Sequence, residues 1–172
     1  MSATEIIRTE DGSDIGAIRA VHVSAFPTAS EAELVERLRE TGNLCVSLVA
    51  ELDSKIVGHV AFSPVTLEPA VSDVRAVGLA PVAVVPAHQR QGIGARLIEA
   101  GIAACREAEY TLVVVLGHPT YYPRFGFQPA SRLGIGNEYG ADEAFMAIEL
   151  VPGMLAGYHG LARYGPEFAG LE

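Results

Sequence analysis

The chain has 172 residues, the length of one ordinary domain, so we expect a single domain over residues 1–172. Hydrophobic residues make up 49% of it and charged residues 19%, which excludes an intrinsically disordered chain. Its formal net charge of −9 argues against non-specific binding to nucleic-acid phosphates or to an anionic membrane. Nucleic acids and membranes are therefore not expected as partners.

Positive charge is concentrated in the middle of the chain. Residues 74–137 hold six Arg and three Glu, a net charge of +3, which leaves −12 for the rest. Such a region can hold a small anion, and chance variation with a solvated helix face is the alternative.

Cellular location is predicted from the cysteines and from the absence of targeting signals. Cys45 and Cys105 fit no zinc or C-x-x-C spacing and stand among apolar residues, which predicts buried, reduced thiols. The first ten residues lack a basic stretch followed by an apolar run, and no window approaches the roughly 18 apolar residues of a membrane span. These features predict a cytoplasmic protein.

The first forty residues predict an edge strand and two helices. The strand covers residues 5–8. Ser13 is expected to cap a helix that Pro27 ends, because apolar residues recur between them at helical spacing. Ser30 opens the second helix, with Glu33 as the partner in a capping box.

The next forty residues predict three strands. Residues 44–52 and 56–65 are β-rich and are separated by a three-residue turn, which predicts an antiparallel hairpin. Residues 74–84 form a third strand that contains Gly78 and Pro81. Both residues interrupt a regular ladder, so we expect this strand to be distorted.

A strand, a helix and a strand then follow in succession. Residues 91–108 show helical spacing of small and apolar residues, and residues 112–116 are a solid apolar run typical of a buried strand. This order predicts a parallel pair of strands. A helical turn over residues 120–125 and a hairpin that uses Phe127 and residues 145–150 complete a core of about residues 4–150.

The fold class is an α/β three-layer domain with a mixed, mostly antiparallel sheet and helices on both faces. Residues 151–172 form a tail that the sequence does not assign.

The junction between the third strand and the following helix predicts an anion site. The first turn of a helix exposes unpaired backbone N–H groups and the positive end of the helix dipole. Gly92 and Gly94 place no side chain before those groups, and Arg90 and Arg96 add charge in a window over residues 74–98 without any acid. A structural turn is the alternative, because Gly-x-Gly alone is a weak signal.

The wider pattern resembles the acyl-CoA motif of the GNAT N-acetyltransferase superfamily. Val-Ala-Val ends the strand, and Q-x-x-G-x-G-A follows at residues 89–95. The segment Y-Y-P-R-F-G-F at residues 121–127 resembles the Tyr-x-x-x-Gly-Phe segment of that family. The element order over residues 5–150 is also similar, whereas the Asn often found shortly before the tyrosine is absent.

The resemblance implies acetyl-CoA as the acyl donor, no metal, and a sheet splayed at the parallel pair. The pantetheine arm would lie along the third strand like an added strand, and backbone amides at the start of the helix would hold the pyrophosphate. His88 would cap or shield this loop. The cofactor-binding residues implied are Val82, Ala83, Val84, Gln89, Arg90, Gln91, Gly92, Ile93, Gly94 and Ala95.

Acetyl transfer to an amine requires a neutral amine, stabilisation of an oxyanion and a proton for the departing thiolate. The resemblance implies that the backbone N–H of Val84 is the oxyanion donor and that Tyr122 is the general acid. Its neighbour Tyr121 is the alternative to exclude. Possible bases are His59 in a central strand and His118 after the second parallel strand.

Other groups also remain candidates for the base, namely Glu68, Asp73 or a chain of water molecules. Residues 66–73 and 129–144 are expected to wall the acceptor site. Neither cysteine is expected to form a covalent intermediate, because both lie on packed elements.

The sequence thus predicts an acetyl-CoA-dependent N-acetyltransferase that acts directly on a primary amine of a small molecule or protein. The alternatives are a non-catalytic acyl-CoA-binding regulatory module and an unrelated nucleotide-binding domain. A homodimer through the C-terminal strand or tail is left open.

Overall fold

A computed structural model describes residues 4–169. The helices of this part are α1 (Ile15–Ala25), α2 (Ser30–Glu40) and α3 (Ile93–Glu107). The strands are β1 (Glu5–Thr9), β2 (Val46–Leu52), β3 (Lys55–Glu68), β4 (Ala76–Val84), β5 (Leu112–Leu116), β6 (Gln128–Pro129), β7 (Ile135–Asn137), β8 (Phe145–Glu149) and β9 (Gly160–Tyr164). None of the helices described over residues 4–169 combines the length and the apolarity that crossing a membrane requires.

One mixed sheet forms the centre of the fold. Its main order is β1-β2-β3-β4-β5-β8-β6, and the β4–β5 pair is parallel as predicted. The β2–β3 hairpin turns at Asp53 and Ser54, which both have positive φ, a backbone that matches the twist of the two strands. The sequence prediction of a mixed, mostly antiparallel sheet is confirmed.

Helices cover both faces of this sheet. Leu48 and Ala50 of β2 belong to the apolar cluster under α3, whereas Val49 packs with Ile18 of α1 and Val35 of α2. Successive side chains of a strand point to opposite faces, so α3 lies on one face and α1 and α2 lie on the other. The predicted three-layer architecture is confirmed.

The two predicted helix caps are wrong in detail. Asp11, not Ser13, is the capping residue, and it caps the 3-10 turn Gly12–Asp14 that leads into α1: its carboxylate accepts the Ser13 N–H at 2.8 Å. The Asp14 carboxylate accepts the Asp11 N–H at 2.8 Å, which completes a capping box around a single turn of 3-10 helix. Helix α2 begins at Ser30 without a side-chain cap, so the box expected with Glu33 does not form.

Strands β4 and β5 separate after a short region of pairing. They pair only from Ala76 to Gly78 on β4, and the Gly78–Val114 pair is the last. The β3–β4 register shifts between Val60 and Phe62, next to Pro81. The expected distortion is therefore present, and it opens a gap between the C-terminal ends of the two parallel strands.

The segment after residue 150, which the sequence left unassigned, completes the sheet. Strand β9 pairs antiparallel with the end of β3 and parallel with β7. Residues 170–172 of the predicted tail lie outside the described residues. At Leu161 and Ala162 both edges of β9 are paired, so a second copy could add to this part of the strand only by displacing a neighbour.

Candidate active site

A cleft of about 430 Å³ lies between the end of β4, the start of α3 and residues 121–124. Gln91 is the one predicted cofactor-binding residue that does not line it, and its carbonyl instead accepts a hydrogen bond from Arg96 at 3.2 Å. The structure brings the other predicted residues together on this cleft, namely Val82, Ala83, Val84, Gln89, Arg90, Gly92, Ile93, Gly94 and Ala95.

The start of α3 presents backbone N–H groups to this cleft. The first hydrogen bond of the helix runs from the Arg96 N–H to the Gly92 carbonyl at 3.0 Å, so the amides between them have no acceptor within the helix. A Cβ added at Gly94 would have one neighbour within 4 Å, a Val84 methyl at 3.8 Å. The helix dipole and the open space at Gly94 together favour an anion here.

The free edge of β4 forms the second wall. The Val85 N–H donates to the Val57 carbonyl on β3 at 2.9 Å. Successive amides of an extended strand point to opposite edges, so the Val84 N–H points away from β3 and toward the gap. The Gln89 side chain donates to the Val84 carbonyl at 2.9 Å and so braces this edge.

The charge at the start of α3 differs from the sequence prediction. Residues 74–98 contain no acid, but the fold brings an acid from another part of the chain into contact with them. Glu5 of β1 binds Arg96 through two hydrogen bonds of 2.6 Å. This contact holds the pKa of Glu5 below its usual range and offsets the charge of Arg96. Arg96 therefore braces the loop, while Arg90 lines the cleft itself.

Three residues that the sequence reasoning did not assign also line the cleft. These are Ile98, Tyr121 and Arg124. The Arg124 guanidinium lies 4.3 Å from the centre of the Tyr121 ring and donates to the Tyr121 carbonyl at 2.8 Å. The position of Arg124 inside the Y-Y-P-R-F-G-F segment is the signal that would have identified it.

The two neighbouring tyrosines have different surroundings. The ring of Tyr122 is buried against Gly117, where a Cβ would collide with it, and against Phe127. Burial raises the pKa of Tyr122 to about 12, so its hydroxyl is protonated at neutral pH. Tyr121 faces the cleft instead.

His59 lies fully buried beneath α1, with its two ring nitrogens already in contact with polar groups. Its Nδ1 lies 2.8 Å from His22 Nε2, and its Nε2 lies 2.7 Å from Ser47 Oγ. Burial lowers the pKa of His59 well below its usual value. This arrangement leaves His59 no nitrogen with which to take a proton directly from an acceptor.

His118 has an exposed side chain immediately after β5. Its carbonyl accepts the N–H groups of Tyr121 and Tyr122 at 3.1 and 3.3 Å, so it stands one turn before the tyrosines. His88 lines the cleft at the anion loop.

The remaining candidate bases lie elsewhere. Glu68 accepts a 2.7 Å hydrogen bond from Arg163 at the far end of β3, and Asp73 lies in an exposed turn. Both cysteines are free, and burial raises the pKa of Cys105 to about 12. Across residues 4–169, no three His, Cys, Asp or Glu side chains form a group that could hold a metal ion.

Comparison with known proteins agrees with this geometry. The family model described as acetyltransferase (GNAT) domain matches residues 6–130. The uncharacterized N-acetyltransferase YhbS of Escherichia coli is 37% identical over 165 residues, which are 95% of this chain and 98% of that protein. The uncharacterized N-acetyltransferase YjhQ of the same species is 42% identical over 123 residues, or 70% of this chain and 68% of that protein.

Two solved structures are similar over almost the whole chain. The crystal structure of E. coli YhbS in complex with CoA has a TM-score of 0.92 and 34% identity, and covers 100% of this chain and 96% of that chain. A GNAT family acetyltransferase from Brucella melitensis in complex with acetyl-CoA has a TM-score of 0.79 and 36% identity, with coverages of 96% and 98%. This chain belongs to the GNAT family of acetyltransferases.

Proposed function

We propose that this enzyme binds acetyl-CoA in the cleft between β4 and α3 and transfers the acetyl group directly to a primary amine of a small molecule or protein. The continuous path from the free edge of β4 to the first turn of α3 carries the proposal. An extended arm with amide groups suits the edge of a strand, and a pyrophosphate suits the N-terminus of a helix.

Two glycines support the fit of the pyrophosphate. Gly92 has a φ of +83°, and a Cβ there would lie 2.7 Å from Arg96 Nη1. Gly94 leaves open space before the amides of the first turn. Arg90 and Arg124 add positive charge along the same cleft. The relatives from E. coli and Brucella melitensis, crystallised with CoA and acetyl-CoA, give independent support.

The acetyl carbonyl would lie at the gap between β4 and β5. There the Val84 N–H donates a hydrogen bond to the oxyanion that develops on that carbonyl. Tyr122 does not line the donor cleft, but its ring lies against Gly117 directly after β5, at this gap, and burial keeps it protonated, so we assign it donation of a proton to the departing thiolate. Of the two candidate histidines, His118 is the one with an exposed side chain, so we assign it the role of removing the proton from the amine.

Isothermal titration calorimetry of the purified chain with acetyl-CoA tests the donor site. We expect acetyl-CoA to bind and ATP and NAD not to bind, since the site includes a path for the pantetheine arm. Gly94→Asp should weaken binding at least about tenfold, because its carboxylate would face the pyrophosphate. An acid in the first turn of a helix does not destabilise the helix, so this variant should remain folded.

Gly16→Asp is the matched control. Gly16 lies in the first turn of α1, and a Cβ there meets nothing within 4 Å. It adds the same charge away from the cleft, so acetyl-CoA affinity should not change. Equal binding by the Gly94→Asp variant, or equal affinity for ATP, would contradict the proposed donor site.

A further inference from the structure

A second cleft lies beside the C-terminal strand and is lined by three aromatic rings and a carboxylate. Its volume is about 310 Å³, and Glu138, Tyr139, Tyr164 and Phe168 line it. The ring centres of Tyr164 and Phe168 are 4.9 Å apart, and those of Tyr139 and Tyr164 are 6.0 Å apart. Tyr139 is 46% exposed and Phe168 is buried, so Tyr139 is the ring that a ligand meets first.

The carboxylate of this aromatic cleft is held in place by β9. Glu138 accepts the Tyr164 N–H at 3.2 Å and contacts Arg163 at 3.4 Å. Arg163 also binds Glu68 at 2.7 Å, so one guanidinium faces two carboxylates and one negative charge remains. Aromatic faces next to a carboxylate attract cations.

Tyr164 connects the aromatic cleft to the gap between β4 and β5. A Cβ at Gly78 would lie 2.5 Å from Tyr164 Cε1, and Gly78 is the last β4 residue paired with β5. Burial, and after it the charges of Tyr139, Tyr122 and Glu138, raise the pKa of Tyr164.

The two clefts lie on opposite faces of the sheet. Gly78 faces Tyr164 and Val65, whereas the neighbouring Val77 and Leu79 face the cluster under α3. The cleft proposed for acetyl-CoA lies on the α3 side, so the aromatic cleft on the other side shares no lining residue with it. Direct transfer requires the donor and the acceptor to meet at one point, and two separate clefts allow both to be bound at once.

We infer that the aromatic cleft binds a cationic group of the acceptor, and that the acceptor is an amine with a second cationic nitrogen. The inference rests on the proposed function. The nitrogen that attacks the acetyl carbonyl must be neutral, because a protonated amine has no lone pair. A cation held by Glu138 and the rings is therefore a different group of the same molecule, as in a diamine.

Choline and 3,3-dimethylbutan-1-ol test the aromatic cleft by binding alone, since they share a shape and differ in charge. We expect choline to shift the NMR signals of ring-labelled tyrosines in the full chain, and the neutral alcohol to shift them little at the same concentration. Tyr139→Ala should weaken choline binding about fivefold, whereas Tyr139→Phe should retain it.

Glu138→Gln and Glu68→Gln form a matched pair, because each removes one carboxylate from Arg163 and only Glu138 lines the cleft. Glu138→Gln should weaken choline binding, and Glu68→Gln should not. Equal shifts with the two ligands, or equal effects of the two variants, would overturn the aromatic cleft as a cation site.

The substrate class is tested by CoA release from acetyl-CoA with 1,4-diaminobutane or 1-aminobutane. We expect kcat/KM to be about tenfold higher or more for the diamine. Equal values, or no release with either amine despite acetyl-CoA binding, would contradict this class. Failure of acetyl-CoA to bind in calorimetry would instead contradict the proposed function, so the two failures are distinguishable.

Discussion

Tyr121 and Tyr122 are neighbours in the chain, yet their side chains can perform different tasks. Tyr121 lines the cleft beneath the Arg124 guanidinium, a position suited to holding a bound molecule. Tyr122 is buried against Gly117, and its raised pKa of about 12 keeps the proton that an acid must donate. We therefore expect these residues to separate binding from catalysis.

Tyr122→Phe should lower kcat by about 100-fold or more, because the departing thiolate loses its proton donor. Its affinity for acetyl-CoA should not change, since the ring is retained. Tyr121→Phe is the matched control and should keep most of kcat. Steady-state kinetics beside calorimetry make this comparison. An unchanged kcat in Tyr122→Phe would remove the tyrosine from the mechanism, and no turnover in any variant would favour a binding module.

At the level of single residues, the sequence predicted the positions of the anion loop but not all of their partners. The glycines of the loop are recognised from their spacing, which is local. The pairing of Arg96 with Glu5 joins residues 91 positions apart, so no local pattern contains it. For the same reason no local pattern contains the contact of His59, because its partner His22 lies on a different element.

At the level of elements, two buried histidines join α1 to β3. His22 and His59 have no exposed surface, and burial lowers the pKa of His22 to about 4. The ordinary pKa of a histidine, about 6.5, applies in the unfolded chain. Between these values the unfolded state binds more protons than the folded state, so the free energy of unfolding falls as the pH falls.

We expect the lowered pKa of His22 alone to reduce the free energy of unfolding by about 2 kcal/mol as the pH falls from about 8 to about 5. Urea denaturation at the two pH values measures this loss. His22→Gln should be less sensitive to pH over this range. The stability that the protein gains from carboxylates with a lowered pKa, such as Glu5 and Asp14, is lost only at lower pH, below the ordinary pKa of these groups. A free energy of unfolding that is equal at both pH values would contradict this account of the pair.

The elements themselves were predictable where their apolar residues are periodic. The helices follow from the helical spacing of their apolar residues, whereas strands β2, β3 and β5 follow from β-rich or wholly apolar runs. The helix caps were less predictable, because Asp11 and Ser13 are both acceptable capping residues and the geometry of the first turn decides between them. Strand β9 has five residues between glycine-rich turns, and its pairing with the distant β3 defines it.

At the level of the whole molecule, the C-terminal segment is held in place by a buried carboxylate. Glu167 accepts hydrogen bonds from Thr41 at 2.6 Å and Asn43 at 2.7 Å, which lower its pKa. Arg37 of α2 donates to the Glu167 carbonyl at 2.9 Å. These contacts fix Phe168, which packs on Tyr164 in the aromatic cleft. Helix α2 therefore supports that cleft through residues that never line it.

Glu167→Ala should lower the free energy of unfolding by about 1–3 kcal/mol, because it leaves the Thr41 and Asn43 donors without their buried acceptor. Urea denaturation near neutral pH measures the loss. In the folded variant, choline should bind more weakly while acetyl-CoA binds as before, because the segment supports the aromatic cleft and not the anion loop. Equal weakening of choline binding and acetyl-CoA binding would show that the C-terminal segment stabilises the sheet as a whole, and that the two clefts are not independently supported.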